Sequence, residues 1–483
     1  MIDPDVLVVG AGSSGCALAA GLVRRGLRVT LVEAGPDYGS FADGRWPQDL
    51  LDARVMPRSH DWGYSETHRG VLREERRAKV IGGCSSHNQC AAVWPQAGDL
   101  DGWALPGWRD DHLAPELAVL RAELAPTPAP DDALSLWQRS FLATALATGY
   151  PRLGGTSVPA PAVGVSPFDA NVRDGVRWNA AFAFLDPLRG DPLLTIRSGI
   201  TADRLVVEGR RARALACRDA TGVLELGARE IVLCGGAYGS PAILVRSGIG
   251  PAQHVEALGI DLLADLPVGE NLHDHSGVRV ELATGSDYAA ALAADLERGR
   301  FAQSQVALRT RTSECDGGWN LHILPFGVRR ENVGVGVLAF LLDPVSRGRL
   351  RVSSVDPHAL PELDFARLGD RGGHDRARLR EALQLVRTLL SAEPAASLVQ
   401  EVSPGEVPML DEQVQVAVTG YAHAVGTCAL GSVLGSDLRV LGFDALHVAD
   451  AAVVPRIPRA NPNVLCMAIG LRAAALLGAK LRS

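Results

Sequence analysis

A chain of 483 residues with 48 Lys+Arg against 55 Asp+Glu, net charge −7, is too long for one ordinary domain and too mildly acidic to suggest a nucleic-acid partner. Its eight cysteines (Cys16, Cys84, Cys90, Cys217, Cys234, Cys315, Cys428 and Cys466) are scattered without metal-ligand spacing, so they read as reduced core thiols and no metal site is expected. No run is read as spanning a membrane, the tail after Met467 being broken by Gly470 and Arg472, and a first strand near Asp5 leaves no room for a signal peptide; a cytoplasmic protein is expected.

The chain begins on Val6-Leu7-Val8-Val9-Gly10-Ala11-Gly12-Ser13-Ser14-Gly15 and runs to Val29-Thr30-Leu31-Val32-Glu33. This reads as a buried strand, a glycine turn, a helix ending at Gly26, and a second buried strand ending in an acid. Gly10 allows the turn, Gly12 lets backbone approach a pyrophosphate, and Gly15 lets the helix pack on the strand. The helix N-terminus presents free N–H groups to an anion. Glu33 stands where an acid binds a ribose hydroxyl pair. Together they predict an adenine dinucleotide site.

After the turn Ala34-Gly35-Pro36, residues 37–80 read as loops reaching across a bound cofactor. Gly82-Gly83-Cys84-Ser85-Ser86-His87-Asn88 is a backbone-rich turn able to hug a flat ligand. Helices are expected within 99–123 and near 132–147. Short strands return at Leu194–Arg197, Arg204–Glu208, Ala214–Arg218 and Glu230–Cys234, the last running into Gly235-Gly236-Ala237-Tyr238-Gly239 and a second helix. Alternation at Val278–Glu281 and Arg349–Val352 predicts an antiparallel sheet with one wet face. Leu379, Leu383, Val386 and Leu390 mark a helix near 374–391. Leu446–Asp450 reads as a strand, and a last helix starts near Asn463. The fold expected is α/β with two domains, a Rossmann-like dinucleotide domain carrying an inserted antiparallel-sheet substrate domain. Residues 1–150, 196–275 and 421–483 are assigned to the first; 151–195 and 276–420 are assigned to the second.

Four ordered segments together resemble the glucose–methanol–choline family of FAD-dependent oxidoreductases: the N-terminal turn; Gly82–Asn88; Gly235–Pro241 with Ser247-Gly248-Ile249-Gly250-Pro251; and His423-Ala424-Val425-Gly426-Thr427 with Asn461-Pro462-Asn463. Gly82–Asn88 with Asp99-Leu100-Asp101, and His322 ahead of Pro325-Phe326, look most like its choline-oxidising branch. The resemblance implies FAD bound by Gly10, Gly12, Ser13, Ser14, Gly15, Glu33, Ala34, Gly82, Gly83, Ser86, His87, Asn88, Gly236, Asp450, Ala451 and Asn461. It implies either a covalent bond from His87 to the flavin or a dissociable FAD beside it. His423 is then the base, Asn463 its partner and His322 a third polar residue of the pocket. The reaction implied is oxidation of an alcohol to an aldehyde or ketone by hydride transfer to flavin, and onward to the acid if the hydrate stays bound.

The chain departs from choline recognition at two points. Asp274-His275 is followed by Ser276-Gly277 with no acid, and Ala422 replaces an aromatic cage residue. A sugar-like or amino-sugar alcohol is therefore the expected small-molecule substrate, with oxygen or another electron acceptor, no nucleic acid and no membrane; a homodimer is left open. A hydroxynitrile lyase-type flavoprotein without net redox, or a choline oxidase or dehydrogenase proper, are the alternatives. His273 and His275 read as structural. Arg309, Arg311, Arg329 and Arg330 read as a solvated face. Tyr421, if it faces the flavin, would hinder oxygen.

Overall fold

The strand Val6–Val9 is buried along its whole length and lies at the centre of a five-stranded parallel sheet. Its neighbours are Val29–Val32 and Glu230–Leu233; Leu194–Arg197 and Leu446–Val448 form the edges. Runs of Val, Leu and Ile without alternation suit strands covered on both faces. The computed structural model describes residues 4–156, 162–299, 304–327, 334–405 and 410–482. Both strand–glycine–helix units feed this sheet. The first continues into the helix Ser13–Val23, the second into Gly236–Arg246.

The last helix, Pro462–Arg482, corrects the sequence reading of the C-terminal tail. By length and composition it could cross a membrane, with 61% of its most apolar window buried. Its apolarity is used inside the molecule, against the helix Ser13–Val23 and the helix Asp110–Leu124. Gly470 does not break it. A Cβ there would meet the Ser14 carbonyl at 2.3 Å, so the glycine lets two helices close up. Ser14 Oγ donates to the Cys466 carbonyl at 2.7 Å across the same contact.

The second large sheet has seven strands, all antiparallel, in the order Val399–Ser403, Ser276–Thr284, Val335–Leu341, Leu321–Phe326, Val306–Thr310 and Gly164–Pro167, with Val418–Gly420 beside Ser276–Thr284. Its central strands are buried on both faces rather than wet on one. Leu308, Ile323 and Val337 pack under the helices Leu136–Ala147 and His374–Leu390. Ala307, Leu324 and Phe340 belong to a separate aromatic cluster on the other face.

Two further expectations change. Residues 37–80 are not all loop, because Tyr64–His68 and Val71–Glu75 form a hairpin. That hairpin joins Glu362–Asp364 and Arg349–Arg351 in a four-stranded sheet, so the alternation at 349–352 belongs there and not to the sheet of Val278–Glu281. Thr201–Glu208, Arg211–Asp219 and Gly222–Gly227 form a separate antiparallel meander. The strand Leu194–Arg197 straddles the position assigned as a domain boundary at 195/196. Cys84 is exposed, unlike the buried Cys16, Cys90, Cys217, Cys234, Cys428 and Cys466.

Candidate active site

The two glycine turns close on each other because neither carries a side chain. Gly10 has φ +107°, and a Cβ on it would sit 2.5 Å from the Cys234 carbonyl oxygen. A Cβ on Gly15 would sit 1.9 Å from the Gly10 carbonyl oxygen. Gly83, at φ +53°, would place a Cβ 2.6 Å from the Gly12 Cα. The turn at 82–86 is thus pressed onto the dinucleotide turn, and Gly82 N–H donates to the Ala11 carbonyl at 2.7 Å. Gly15→Ala is expected to cost about 1–3 kcal/mol, the range for overpacking a filled contact, and to lower the flavin retained per chain. Urea unfolding and the visible absorbance of the purified protein check both.

A cavity of about 400 Å³ runs from Glu33 and Ala34 to His423 and Asn461. Gly10, Gly12, Ser13, Ser14, Gly83, His87, Asn88, Gly236, Asp450, Ala451 and Asn463 line it as well. Gly15, Gly82, Ser86 and His322 do not; the first three shape the turns behind its wall. Glu33 accepts from Ala11 N–H at 2.9 Å and Gly35 N–H at 2.8 Å, and burial raises its carboxyl above the ordinary range. Asp450 accepts from Gly236 N–H at 2.8 Å and Ala452 N–H at 2.7 Å, and burial raises its pKa to about 6.

Among the described residues, both ring nitrogens of His87 and the Asn461 Oδ1 are buried without a hydrogen-bond partner. Orphaned polar atoms at the wall of a long cavity are what a polar, flat ligand would satisfy. With the paired glycine turns and the acid at 33, they fit a dinucleotide lying extended between the two ends.

At the far end the protein builds a hydrogen-bond chain. His275 Nε2 lies 3.0 Å from the Pro458 carbonyl, which can only accept, so this nitrogen carries the proton. Burial pushes the His275 pKa down to about 4, so the ring is neutral and its Nδ1 is a bare acceptor. His423 Nδ1 lies 2.9 Å from that atom and is therefore the donor. Burial, then the neighbouring His275 and Arg77, hold His423 well below the ordinary histidine range. Its Nε2 is left with a lone pair, 3.3 Å from the Asn461 amide nitrogen.

Two assignments change here. The residue beside His423 is Asn461, not Asn463; Asn463 Oδ1 instead accepts from Ser13 Oγ at 2.6 Å. The helix begins at Pro462, so Asn461 precedes it while Asn463 turns with its first turn toward the dinucleotide loop. His275, read from sequence as structural, contacts His423 directly. His273 keeps its structural part, with Nδ1 on the Asn271 carbonyl at 2.6 Å and Nε2 accepting Ile457 N–H at 3.0 Å.

The His423 backbone is held by a buried carboxylate. Asp274 accepts Tyr421 N–H at 3.0 Å and His423 N–H at 2.8 Å, bracketing Ala422 at φ +61°. Arg367 pairs with Asp274 and Glu66, both at 3.1 Å. Tyr421 stacks on Phe340 with centroids 3.8 Å apart and lies 4.0 Å from the His423 ring. His322 is fully buried in the aromatic layer behind Tyr421, stacked on Trp319 at 4.7 Å, with neither nitrogen partnered. Arg309 corrects the solvated-face reading, being only 3% exposed; Arg311 is exposed, and Arg329 and Arg330 lie outside the described residues.

Comparison with known proteins agrees with this architecture. Residues 4–277 and 344–470 match the two GMC oxidoreductase family models. Choline oxidase of Arthrobacter globiformis is 31% identical over 98% of this chain and 94% of its own length. Oxygen-dependent choline dehydrogenase of Paraburkholderia phymatum is 29% identical over 95% of this chain and 90% of its own. Pyridoxine 4-oxidase from Mesorbium loti superimposes with a TM-score of 0.87 at 28% identity, covering 98% of both chains. The chain therefore belongs to the GMC oxidoreductase family and is an FAD-binding flavoprotein that oxidises CH–OH donors.

Proposed function

We propose that this enzyme converts a small alcohol to its aldehyde or ketone, with His423 Nε2 taking the hydroxyl proton and Asn461 donating to the substrate oxygen. FAD, when bound, supplies the acceptor for the hydride from the carbinol carbon. The chain Pro458–His275–His423 carries the reading. It fixes one tautomer of a neutral histidine, so the nitrogen at the cavity is a base rather than an N–H donor. Asn461 is a pure amide and cannot act as a second base. Asp274 sets where that base stands by clamping the two backbone amides around Ala422. Asn463 and Ser13 close the wall between His423 and the dinucleotide turn.

Anaerobic mixing of the purified yellow protein with aliphatic, aromatic, sugar-like and quaternary-ammonium alcohols tests the reading. Bleaching of the visible flavin band by at least one alcohol is the expected result, and readmitting air then shows whether oxygen restores the band. Release of cyanide from a cyanohydrin, with no bleaching by any alcohol, would overturn it.

A second element of the proposal is a covalent bond from His87 to the flavin. Burial lowers the His87 pKa, so the ring is neutral, and neither nitrogen has a hydrogen-bond partner among the described residues. Such a bond would replace one C–H of the flavin ring methyl: the free imidazole nitrogen supplies the bonding pair, the methyl hydrogen leaves as a proton, and the two electrons left on the flavin pass to the same electron acceptor that serves turnover. The flavin is expected to precipitate with the acid-denatured polypeptide in the native enzyme and to stay in the supernatant for His87→Ala. Flavin in the supernatant from the native enzyme would reject the bond.

A further inference from the structure

We infer that the alcohol oxidised here is neutral and carries a second hydroxyl group, and that the side-chain amide of Gln89 receives that hydroxyl. This rests on the alcohol-oxidation reading above and names its substrate class. Gln89 is exposed and lines the cavity that reaches His423. Its backbone is held on both sides. The fully buried Arg177 donates to the Asn88 carbonyl at 2.8 Å, Cys90 N–H donates to Asn88 Oδ1 at 3.0 Å, and Asn171 N–H donates to the Cys90 carbonyl at 3.0 Å. Cys90 itself stands at φ +62°, an uncommon backbone state for a residue other than glycine. The segment also lies at the reacting end of the cavity. Ala91 and Tyr421 both line it and both pack on the cluster of Phe168, Trp319 and Phe340, and the Tyr421 ring lies 4.0 Å from that of His423. The turn carrying Gln89 and the turn carrying His423 therefore converge on one end.

The charged groups of the cavity wall are already engaged. Glu33 and Asp450 accept backbone amides of the glycine turns. Arg77 pairs with Glu75 at 3.4 Å, Arg76 pairs with Glu74 at 2.8 Å, and Arg246 donates to the Asp203 carbonyl at 2.8 Å. Gln89 differs: among the described residues its terminal amide makes no hydrogen bond. A primary amide offers two N–H donors and an acceptor oxygen, so it can give to or take from a hydroxyl, and it carries no charge to hold an ion. Ala91, Ala422, Ala424 and Pro462 complete this part of the wall. They are small and uncharged, which leaves room for a short aliphatic body. An ammonium or carboxylate placed there would give up water with no counter-charge in exchange. A hydroxyl gives up water and gains the amide, a near-even exchange with a modest net gain.

The probes are n-butanol, the butanediols that keep its carbinol and add a hydroxyl at the second, third or fourth carbon, and the amino alcohols in which an ammonium replaces that added hydroxyl. The readout is the half-saturation concentration for anaerobic flavin reduction in the holoenzyme and in Gln89→Leu and Gln89→Glu. In the native enzyme at least one diol is expected to half-saturate roughly threefold or more below n-butanol, about what one neutral hydrogen bond supplies, and the amino alcohols above it. In Gln89→Leu that preference for the diol should disappear. In Gln89→Glu the amino alcohol matching the preferred diol should gain most, because a carboxylate then stands where the amide stood. A merely structural glutamine would shift all probes together and leave their ratios unchanged, which would overturn the proposal. Failure of every diol to reach that preference in the native enzyme would overturn it too. Bleaching by aromatic or quaternary-ammonium alcohols but by none of these probes would overturn it while leaving the proposed function standing. Bleaching by no alcohol at all would overturn both.

Discussion

Replacing His423 with alanine is expected to slow flavin reduction by a saturating alcohol roughly 10²–10⁴-fold, the usual worth of a positioned general base. The loss should appear in the reduction rate more than in half-saturation, because the ring acts on the proton rather than on the body of the substrate. The pH dependence follows from the same environment. Burial places the His423 pKa well below the ordinary value, and His275 stays neutral down to about 4. The base form is therefore present at neutral pH and persists as pH falls through the normal histidine range. Native flavin reduction should stay level from about pH 8 to about pH 6, where an ordinary histidine near 6.5 would already lose much of its base form. Near-native reduction by His423→Ala would remove this residue from proton transfer. A steep loss centred near pH 6.5 in the native enzyme would show that the ring is not held as the structure places it.

Arg367→Met is expected to destabilise the folded enzyme by about 3–5 kcal/mol, the cost of leaving buried charge unpaired. The Arg367 side chain is 1% exposed and lies 3.1 Å from both Glu66 and Asp274 and 3.8 Å from Glu75. Removing it strands Glu66 and Asp274 in one buried cluster beside Glu75, which keeps Arg77 at 3.4 Å. Burial already raises the Glu75 pKa, and without the guanidinium protonation is the cheapest relief. Carboxyls whose folded pKa lies above the unfolded value bind more protons when folded, so stability rises as pH falls. The deficit against the native enzyme should therefore be largest near pH 8 and shrink toward pH 5 in urea titrations. Asp274 also holds the amides of Tyr421 and His423, so the variant should lose reduction rate even where it remains folded. Arg367→Lys, keeping the charge, should recover part of both. A deficit below about 1 kcal/mol at every pH would contradict the network.

Much of the cofactor side was legible because its instructions are local. The turn at 10–15 needs glycine for reasons set within a few residues, and the buried strands around it announce themselves by uninterrupted Val, Leu and Ile. The hairpin at 64–75 was hidden among charges, since Tyr64–Glu75 has no clean alternation and pairs with residues about 300 positions away. Arg309 looked like one of several surface arginines. Its burial depends on the sheet neighbours Gly164 and His322 and on Trp319, none adjacent in the chain. The hydrogen bond from His423 to His275 joins residues 148 apart and could not be read from spacing.

The sequence by itself determined the family, the parallel dinucleotide sheet, the need for FAD and the segment carrying His423. In each case the signal is a short motif whose physical demand is met by its own neighbours. Only the tertiary structure decided that Asn461 rather than Asn463 stands beside His423. That choice turns on where the helix begins and on what Ser13, 450 residues away, can reach. It likewise decided that the apolar C-terminal helix is core, and which nitrogen of His423 is bare. Burial, tautomer and counter-charge are properties of the groups that meet in space, and the order of residues along the chain does not record those meetings.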